Sequence, residues 1–480
     1  MTQATAFTNF PSLAGTLSTQ TEDLVKVGQD FGKIVLTHPI GVLKPKHIDD
    51  IGKAVRYAIQ HNLKILPRGM AHSAFGQSQC DGGIVIDMSS FNEILEKKYS
   101  PVNSWMYVEA GATWNKLIKQ SIQDDYAPPA TTDWQFLTIG GTLSTGGVGY
   151  MTHQKGLLAD NILELDVVTG EGQIKTCSLV QNHELFHAVR GGLGQFGIIA
   201  RAKVQLEPAP QHLQVFQFFH LQSQPFFQDI QQLLELQHFD CLHSFVLPNQ
   251  AEAIIERIGE KQFAQHEEQL AYITAQPQRW IYFTELAKYA KSATSSEIRL
   301  RKLQFTNRFF MQHQEHYFDY IHKEPPLISA EKKMGKMAHP ELTLTMPAHA
   351  MPRFMDDTLA ELSHSAMGGG TILLIPMLRH KILTPLFQTP EARHLFFVGI
   401  LRNAPMDDQE LIAQQMEHNL SLYQKVRNFG GKRYPCDSIS EPSTVEGWQA
   451  HFGESKWKKV QELKYLFDPH HLFLSNLKMF

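Results

Sequence analysis

A loop at residues 67–77 combines flexible backbone with a side chain that could do chemistry. It contains two glycines, several small residues and a single histidine, His72. Short apolar segments at 64–66 and 83–88 flank the loop and predict a strand on either side. Glycine lets a ligand approach the backbone closely, and successive amide groups in such a turn can bind an anion. We expect the loop to hold a pyrophosphate, with His72 carrying the cofactor; the alternative is a strand–turn–strand loop with a surface histidine.

The second candidate stretch, residues 132–149, begins with Asp133 beside Thr132 and contains five glycines between positions 140 and 149. We expect this backbone to be neither a helix nor an ordinary strand, but to lie against a ligand. A histidine in one loop and an aspartate at the head of the other favour a large planar cofactor that bears phosphate. Flavin is the common choice for hydride chemistry, in which the protein supplies burial and orientation. The alternative is that the glycines only build tight turns in a sheet.

Two further motifs match known signatures in the wrong context. Residues 192–197 fit G-x-G-x-x-G. A dinucleotide site needs a strand before this motif and a helix after it, whereas here a predicted helix precedes it and a predicted strand follows. Residues 183–187 fit the H-E-x-x-H zinc motif, but the predicted helix is only about two turns long and no third ligand is apparent. We therefore expect neither a Rossmann NAD site nor a zinc site.

Length and composition indicate a globular protein with more than one domain. The chain has 480 residues, which exceeds a single ordinary core. Hydrophobic residues make up 42% and charged residues 19%, and the net charge of -4 gives no reason to expect nucleic acid. The longest apolar runs, 372–375 and 395–401, are too short to span a bilayer. Four scattered cysteines and the lack of a basic and apolar leader favour a cytoplasmic protein without a signal peptide.

The predicted elements divide the chain into an α+β part and a second mixed part. Residues 1–208 contain short strands and amphipathic helices, with hairpin and turn signals between them. Residues 209–432 combine strands with long helices, which we expect near 297–322 and 408–428. The remaining residues form a tail with one helix, expected near 456–466.

The glycine-rich stretches resemble the flavoproteins of the vanillyl-alcohol-oxidase type, and within them the cytokinin dehydrogenases. Residues 68–77 resemble the family loop whose histidine is covalently joined to FAD, and residues 132–144 resemble a block specific to cytokinin dehydrogenases. Further matching segments are 161–170, 191–197, 451–457 and 467–469. The likeness is close in the first part of the chain and loose in the middle.

The resemblance implies a two-domain α+β flavoprotein. Residues 1–208 would form an FAD-binding domain of the vanillyl-alcohol-oxidase (PCMH) type, and 209–432 a substrate domain with an antiparallel sheet. Residues 433–480 would be a C-terminal segment that returns to the first domain. The implied reaction cleaves N6-isoprenoid adenines (cytokinins) oxidatively to adenine and an unsaturated aldehyde. Hydride would pass to FAD attached through His72, and a quinone or oxygen would accept the electrons; no metal, membrane or nucleic acid is implied.

The resemblance also assigns roles to individual residues. Asp133 matches the catalytic aspartate, which accepts a hydrogen bond from the substrate N–H as hydride departs. Glu285 matches a glutamate that contacts the purine. The residues implied in FAD binding are Pro67, Gly69, Ala71, His72, Ser73, Gln77, Asp133, Thr138, Ser144, Val148, Ile198, Tyr434 and Ser475.

Several positions depart from the family pattern. Met70 replaces the first histidine of the usual G-H-G-H-S, and Ala71 replaces its second glycine. Glu341 stands where an aromatic residue is common, and residues 475–478 lack the glutamine of the usual S-P-G-Q. These changes retain the histidine for cofactor attachment, but they leave the range of substrates open. Two alternatives therefore remain, a related FAD-linked oxidase of an alcohol or sugar and a non-catalytic purine-binding protein.

Overall fold

The structure is a computed structural model that describes residues 7, 9–100, 102–290, 303–305, 309–322 and 336–480. The strands are β1 (Thr16–Ser18), β2 (Gly41–Lys44), β3 (Ile65–Arg68), β4 (Ile84–Asp87), β5 (Ile94–Lys98), β6 (Ser104–Glu109), β7 (Tyr126–Ala127), β8 (Ile162–Val168), β9 (Ile174–Ser178), β10 (Ile198–Pro208), β11 (His212–His220), β12 (Cys241–Pro248), β13 (Trp280–Ala290), β14 (Phe310–His316), β15 (Met337–Ala338), β16 (Leu342–Pro347), β17 (Thr371–Leu378), β18 (His394–Leu401), β19 (Ala404–Pro405) and β20 (Lys432–Arg433). The α-helices are α1 (Thr21–Val27), α2 (Ile48–Gln60), α3 (Trp114–Ser121), α4 (Ile139–Thr145), α5 (Thr152–Lys155), α6 (His183–Val189), α7 (Ser223–Leu236), α8 (Ala251–Ile258), α9 (Glu260–Gln265), α10 (Glu267–Thr274), α11 (Tyr317–Ile321), α12 (Met351–Glu361), α13 (Gln409–Asn428), α14 (Val445–Phe452) and α15 (Glu454–Phe467).

The first unit contains two sheets that share one hydrophobic core. One sheet has the order β1-β2-β4-β3, in which β2, β4 and β3 run parallel. The connection from β2 to β3 passes through α2, whose apolar residues Ile48, Ile51 and Val55 are buried, as their helical spacing predicts. The other sheet is antiparallel, with the order β5-β6-β10-β8-β9 and β7 beside β10. The expected hairpin is confirmed as the pair β8 and β9.

The second unit is an eight-stranded antiparallel sheet with helices on both faces. Its order is β14-β11-β13-β12-β17-β18-β16-β20. Helices α7, α12 and α13 pack on one face through buried residues such as Phe227, Phe354 and Leu422. The other face packs against α8 and α10 and against Val148 of the first unit. The α+β class with an antiparallel sheet in the second unit is therefore confirmed.

The tail packs on the first unit. Trp448, Trp457 and Phe473 belong to the same buried cluster as the two sheets of the first unit. The Gly170 amide donates to the Phe467 carbonyl oxygen at 2.7 Å, which joins the β8–β9 hairpin to the end of α15. The described residues include no helix long and apolar enough to cross a membrane.

The prediction of a helix near 297–322 is wrong for those of its residues that the structure describes. Phe310–His316 forms strand β14 and only Tyr317–Ile321 is helical, while 291–302 and 306–308 lie outside the described residues. β14 pairs with β11 at the end of the sheet, so its alternate polar residues face away from the core while Met311 is buried. A sequence rich in Gln, His and Glu thus follows the period of an edge strand.

The expectation of a non-helical glycine block is also wrong, because α4 spans Ile139–Thr145. The contacts around Gly140 explain why this helix contains glycine. A Cβ at Gly140 would lie 2.9 Å from the Ala110 Cβ, and the Gly140 amide donates to the Ala110 carbonyl oxygen at 2.8 Å. Close packing on the residue that follows β6 therefore favours glycine here, despite the intrinsic helix cost of about 1 kcal/mol per glycine.

Candidate active site

A cavity of about 310 Å³ lies between the two units. Its walls come from the loop after β3, from α4 and its flanks, and from strands β17 and β18 of the large sheet. Eleven of the residues implicated from the sequence line it: Pro67, Gly69, Ala71, His72, Ser73, Gln77, Asp133, Thr138, Ser144, Val148 and Tyr434. The structure therefore brings the two glycine-rich stretches together at one cavity.

The loop that carries His72 is held by ring stacking and by backbone hydrogen bonds. The Phe31 ring lies 4.1 Å from the His72 ring and 4.0 Å from the His339 ring, measured between centroids. Ala71, at the position of the family glycine, has φ 53°, and its carbonyl oxygen accepts from the Phe31 amide at 2.8 Å. A left-handed residue at this point costs a non-glycine side chain some strain, which the surrounding contacts must offset. His72 is thus fixed in orientation at the cavity wall.

Asp30 anchors the far end of the same loop. Its Oδ2 accepts from the Gly76 amide at 2.6 Å and from the Ser73 hydroxyl at 3.4 Å. Burial raises the pKa of the Asp30 carboxyl to about 6, because the low-polarity surroundings disfavour the charged form. The Gln77 side-chain amide donates to the Asp437 carbonyl oxygen at 2.8 Å, which ties the loop to the tail. Both ends of the loop are therefore fixed to other parts of the chain.

The opposite wall is formed by α4 and its N-cap. Thr138 accepts from the Gly141 amide through its hydroxyl at 3.4 Å. A Cβ at Gly69 would lie only 2.0 Å from that same hydroxyl oxygen. The His72 loop and the N-cap of α4 are therefore in contact at Gly69, where only glycine fits. At Gly194, by contrast, a Cβ would meet nothing within 4 Å, so this part of the wall is open for a ligand to approach the backbone.

Asp133 lies in the wall where the two units meet. Its Oδ1 accepts a hydrogen bond from the Trp134 amide at 2.9 Å. Burial raises the pKa of the Asp133 carboxyl above its usual value, while that hydrogen bond and the charge of Arg257 oppose the rise. A carboxylate in such a site can accept a hydrogen bond or a proton from a bound amine or hydroxyl.

Glu285 does not line the cavity. It lies on β13, is 7% exposed, and accepts a hydrogen bond from the Gln217 side-chain amide. His243 Nε2 lies 3.6 Å from its Oε1, and the His243 ring stacks on Tyr150 at 3.7 Å between centroids. Burial, followed by the charge of Asp133, raises the pKa of the Tyr150 hydroxyl well above its usual value. Glu285 is therefore linked to Tyr150 through His243, and it does not itself line the cavity.

Two of the implicated cofactor residues also lie outside the cavity lining. Ile198 is fully buried in β10, and its neighbour Ile199 lines the cavity instead. The Ser475 hydroxyl oxygen accepts from the Gln195 side chain at 3.5 Å and from the Leu477 amide at 3.3 Å. Leu477, rather than Ser475, lines the cavity.

The sequence did not predict which strands of the second unit line the cavity. Leu373, Ile375 and Phe397 face the cavity from the paired strands β17 and β18, and Thr343 from β16. Leu373, Ile375 and Phe397 give this part of the wall an apolar surface. In the sequence these strands are apolar runs, and a strand that faces a cavity has the same pattern as one that faces a core. Only the cavity that they share with the first unit distinguishes the two, and the sequence does not show it. Glu341 also lines the cavity, and its departure from the family pattern was the one available signal.

Comparison with known proteins finds two family models along the chain. Residues 39–178 match the model described as an FAD binding domain, and residues 210–480 match the model described as the FAD and cytokinin binding region of cytokinin dehydrogenase 1. Cytokinin dehydrogenase 5 of Oryza sativa subsp. japonica is 30% identical over 95% of this chain and 89% of its own length. Cytokinin dehydrogenase 2 of Arabidopsis thaliana is 29% identical over 95% of this chain and 92% of its own.

A bacterial relative and a solved structure extend the comparison. A protein described as an uncharacterized oxidoreductase of the fasciation locus of Rhodococcoides fascians is 29% identical over 97% of this chain and 99% of its own length. The crystal structure of 6-hydroxy-D-nicotine oxidase from Arthrobacter nicotinovorans matches with a TM-score of 0.69 at 19% identity, covering 98% of each chain. At that identity the match establishes the two-unit fold alone.

Proposed function

Because this chain belongs to the cytokinin dehydrogenase family of FAD-binding oxidoreductases, we propose that it oxidises N6-isoprenoid adenines and releases adenine and an unsaturated aldehyde. The observation that supports this assignment is the position of Asp133, in the wall of the cavity that also contains the His72 loop. A quinone or oxygen would then accept the electrons.

The cavity residues fit FAD. When bound, FAD would supply the acceptor for the hydride. The loop at 67–77 and the open wall at Gly194 would approach its pyrophosphate and flanking groups, because small residues there leave the backbone accessible. The apolar surface at Leu373 and Phe397 would cover a planar ring. We propose that His72, held by the Phe31 ring, forms the covalent link.

Asp133 would act on the substrate amine. One of its oxygens already accepts from the Trp134 amide, which fixes the carboxylate and leaves its other oxygen for the substrate N–H. Accepting that hydrogen bond makes the nitrogen more electron-rich, so that it assists departure of hydride from the adjacent carbon. Enclosure by the two units strengthens this electrostatic effect because water is excluded. Loss of the hydride would leave a protonated imine, whose N–H proton would pass to Asp133, and water would then hydrolyse the imine to the two products.

Glu285 would serve as a positioning residue at the purine end of the site. It does not line the cavity, so its effect would pass through His243 and the stacked Tyr150 ring. Loss of the carboxylate would alter the orientation of these rings, and through them the fit of the purine. This role predicts a change in substrate affinity larger than the change in the chemical step.

The test replaces Asp133 and compares it with another buried aspartate. Asp133→Asn keeps the shape but weakens the acceptor, so turnover of isopentenyladenine should fall by about 10²- to 10⁴-fold while flavin is retained. Asp160→Asn is the matched control, because Asp160 is also enclosed and hydrogen-bonded, to Thr384 and to the Leu383 amide, but does not line the cavity. Normal turnover in Asp133→Asn, or an equal loss in both variants, would contradict the assignment.

A further inference from the structure

Glu341 lies in the cavity wall with Asp133 and immediately precedes strand β16. Its backbone is fixed, because its amide donates to the Ser438 hydroxyl oxygen at 3.2 Å and to the His339 carbonyl oxygen at 2.9 Å. The His339 ring in turn stacks on Phe31, which supports the His72 loop. Glu341 therefore occupies a rigid position on the second unit.

The Glu341 carboxyl is enclosed beside another acid. Across the part of the chain that the structure describes, no side chain or amide makes a hydrogen bond with it. Burial, then the charges of Asp133 and Asp437, raise the pKa of the Glu341 carboxyl to about 8. Asp437 is itself paired, since Arg433 Nε lies 2.6 Å from its Oδ1. The charges near the Glu341 carboxyl are therefore that of Asp437, which Arg433 pairs, and that of Asp133, which Arg257 partly offsets.

The other titratable groups from the tail that line this region are neutral at pH 7. Burial raises the pKa of the Cys436 thiol to about 12 and the pKa of the Tyr434 hydroxyl well above its usual value. With its proton, Glu341 offers a hydrogen-bond donor in the same cavity lining in which a carboxylate oxygen of Asp133 offers an acceptor. Above about pH 8 Glu341 loses its proton, and the donor disappears.

A 6-aminopurine has the complementary edge. Its exocyclic N–H is a donor. The two ring nitrogens that flank the exocyclic amine are acceptors: N1, which is bonded to the amine-bearing carbon C6, and N7, which is bonded to the next ring carbon, C5. The inference that follows rests on the proposed function. We propose that the Glu341 carboxyl donates a hydrogen bond to one of these ring nitrogens while Asp133 accepts from the exocyclic N–H. The site would then be specific for secondary amines attached to a nitrogen heterocycle, and Glu341 would be its specificity-determining residue.

The experiment pairs two variants with substrates that lack one ring nitrogen. Glu341→Gln keeps a neutral donor, whereas Glu341→Leu removes it at similar volume. Flavin reduction under anaerobic conditions is measured with isopentenyladenine and with its 1-deaza and 7-deaza analogues. In the wild type, one of the two analogues should lower kcat/KM by about 10- to 100-fold, because the Glu341 donor loses its acceptor. Glu341→Leu should lose a similar factor with isopentenyladenine and discriminate little between the substrates.

The pH profile and product binding give two further readouts. The wild type should lose kcat/KM as the pH rises through about 8, and Glu341→Gln should lack that alkaline limb because its amide does not ionise. Calorimetric binding of adenine and of the corresponding deazaadenine should show the same discrimination in Kd without any turnover. Flavin absorption and circular dichroism identify a variant that has not folded. If Glu341→Leu does not fold, the pH profile of Glu341→Gln tests the inference.

The inference is overturned if the wild type accepts both deaza analogues as well as isopentenyladenine, or if Glu341→Gln keeps the alkaline limb. It is also overturned if Glu341→Leu discriminates between the substrates as strongly as the wild type. Failure of the proposed function has a different signature, in which wild-type flavin is not reduced by any N6-substituted adenine.

Discussion

Two lysines of α15 test how burial determines the contribution of an ion pair. Lys464 Nζ lies 2.7 Å from Asp468 Oδ2, and the two side chains are 1% and 0% exposed. Asp468 also accepts from the amides of Leu472 and Phe473 at 2.9 and 3.0 Å, so it organises the turn that follows the helix. Lys459 Nζ lies at the same distance, 2.7 Å, from Glu184, with side chains 52% and 42% exposed.

The structure predicts very different costs for removing the acid of each pair. Asp468→Asn leaves the Lys464 ammonium buried without its counter-charge, which should lower the free energy of unfolding by about 3–5 kcal/mol. Burial already lowers the pKa of Lys464, so the variant should recover part of this loss at high pH, where the lysine becomes neutral. Glu184→Gln removes an exposed, solvent-screened partner, and its cost should stay below about 1 kcal/mol.

Urea unfolding of the holoprotein, followed by tryptophan fluorescence, measures both variants against the wild type. Because the tail also contributes Leu477 to the cavity, the flavin absorption spectrum of Asp468→Asn should change to that of solvent-exposed flavin at a lower urea concentration than in the wild type. A cost below about 1 kcal/mol for Asp468→Asn would refute the reasoning. Equal costs in the two variants would refute it as well, since burial is the difference between them.

Further predictions concern the cavity. Gly69→Ala places a Cβ 2.0 Å from the Thr138 hydroxyl oxygen and should purify with a lower flavin-to-protein absorbance ratio. Gly82→Ala is its control, because a Cβ there meets nothing within 4 Å and costs only the left-handed backbone strain of about 1–2 kcal/mol; equal flavin loss in both would contradict the prediction. Acid precipitation should leave the flavin in the protein pellet, and His72→Ala should release it; complete release from the wild type would exclude the covalent link. Glu285→Gln should raise KM by about tenfold with a smaller change in kcat, and a kcat loss as large as that of Asp133→Asn would make Glu285 a direct participant.

Short-range patterns predicted part of the fold, and tertiary contacts explain the two expectations that are wrong. The amphipathic period of α2 and the hairpin signature between β8 and β9 are local signals, and both are confirmed. Phe310–His316 looked helical because its polar residues carry no sign of the partner strand β11, which lies about a hundred residues earlier in the chain. At Gly140 the approach of Ala110 favours glycine within a helix, and that contact is invisible in the sequence.

The candidate site was predictable where one segment carries several site residues. The loop at 67–77 and the stretch from Asp133 onward are contiguous, so a motif could identify them together. The wall from β17 and β18 could not be found, because apolar residues that face a cavity have the same pattern as residues that face a core. Glu285 was assigned to the site by resemblance to the family, whereas in the structure its carboxylate lies beside His243 and outside the cavity lining.

The central claim is that the cavity binds FAD and an N6-substituted adenine in contact, with Asp133 at the amine. Anaerobic mixing of the purified holoprotein with isopentenyladenine tests it most directly. The visible flavin absorption should disappear, with one equivalent each of adenine and unsaturated aldehyde formed per flavin. A flavin that stays oxidised with every N6-substituted adenine, but is reduced by an alcohol or a sugar, would contradict the claim.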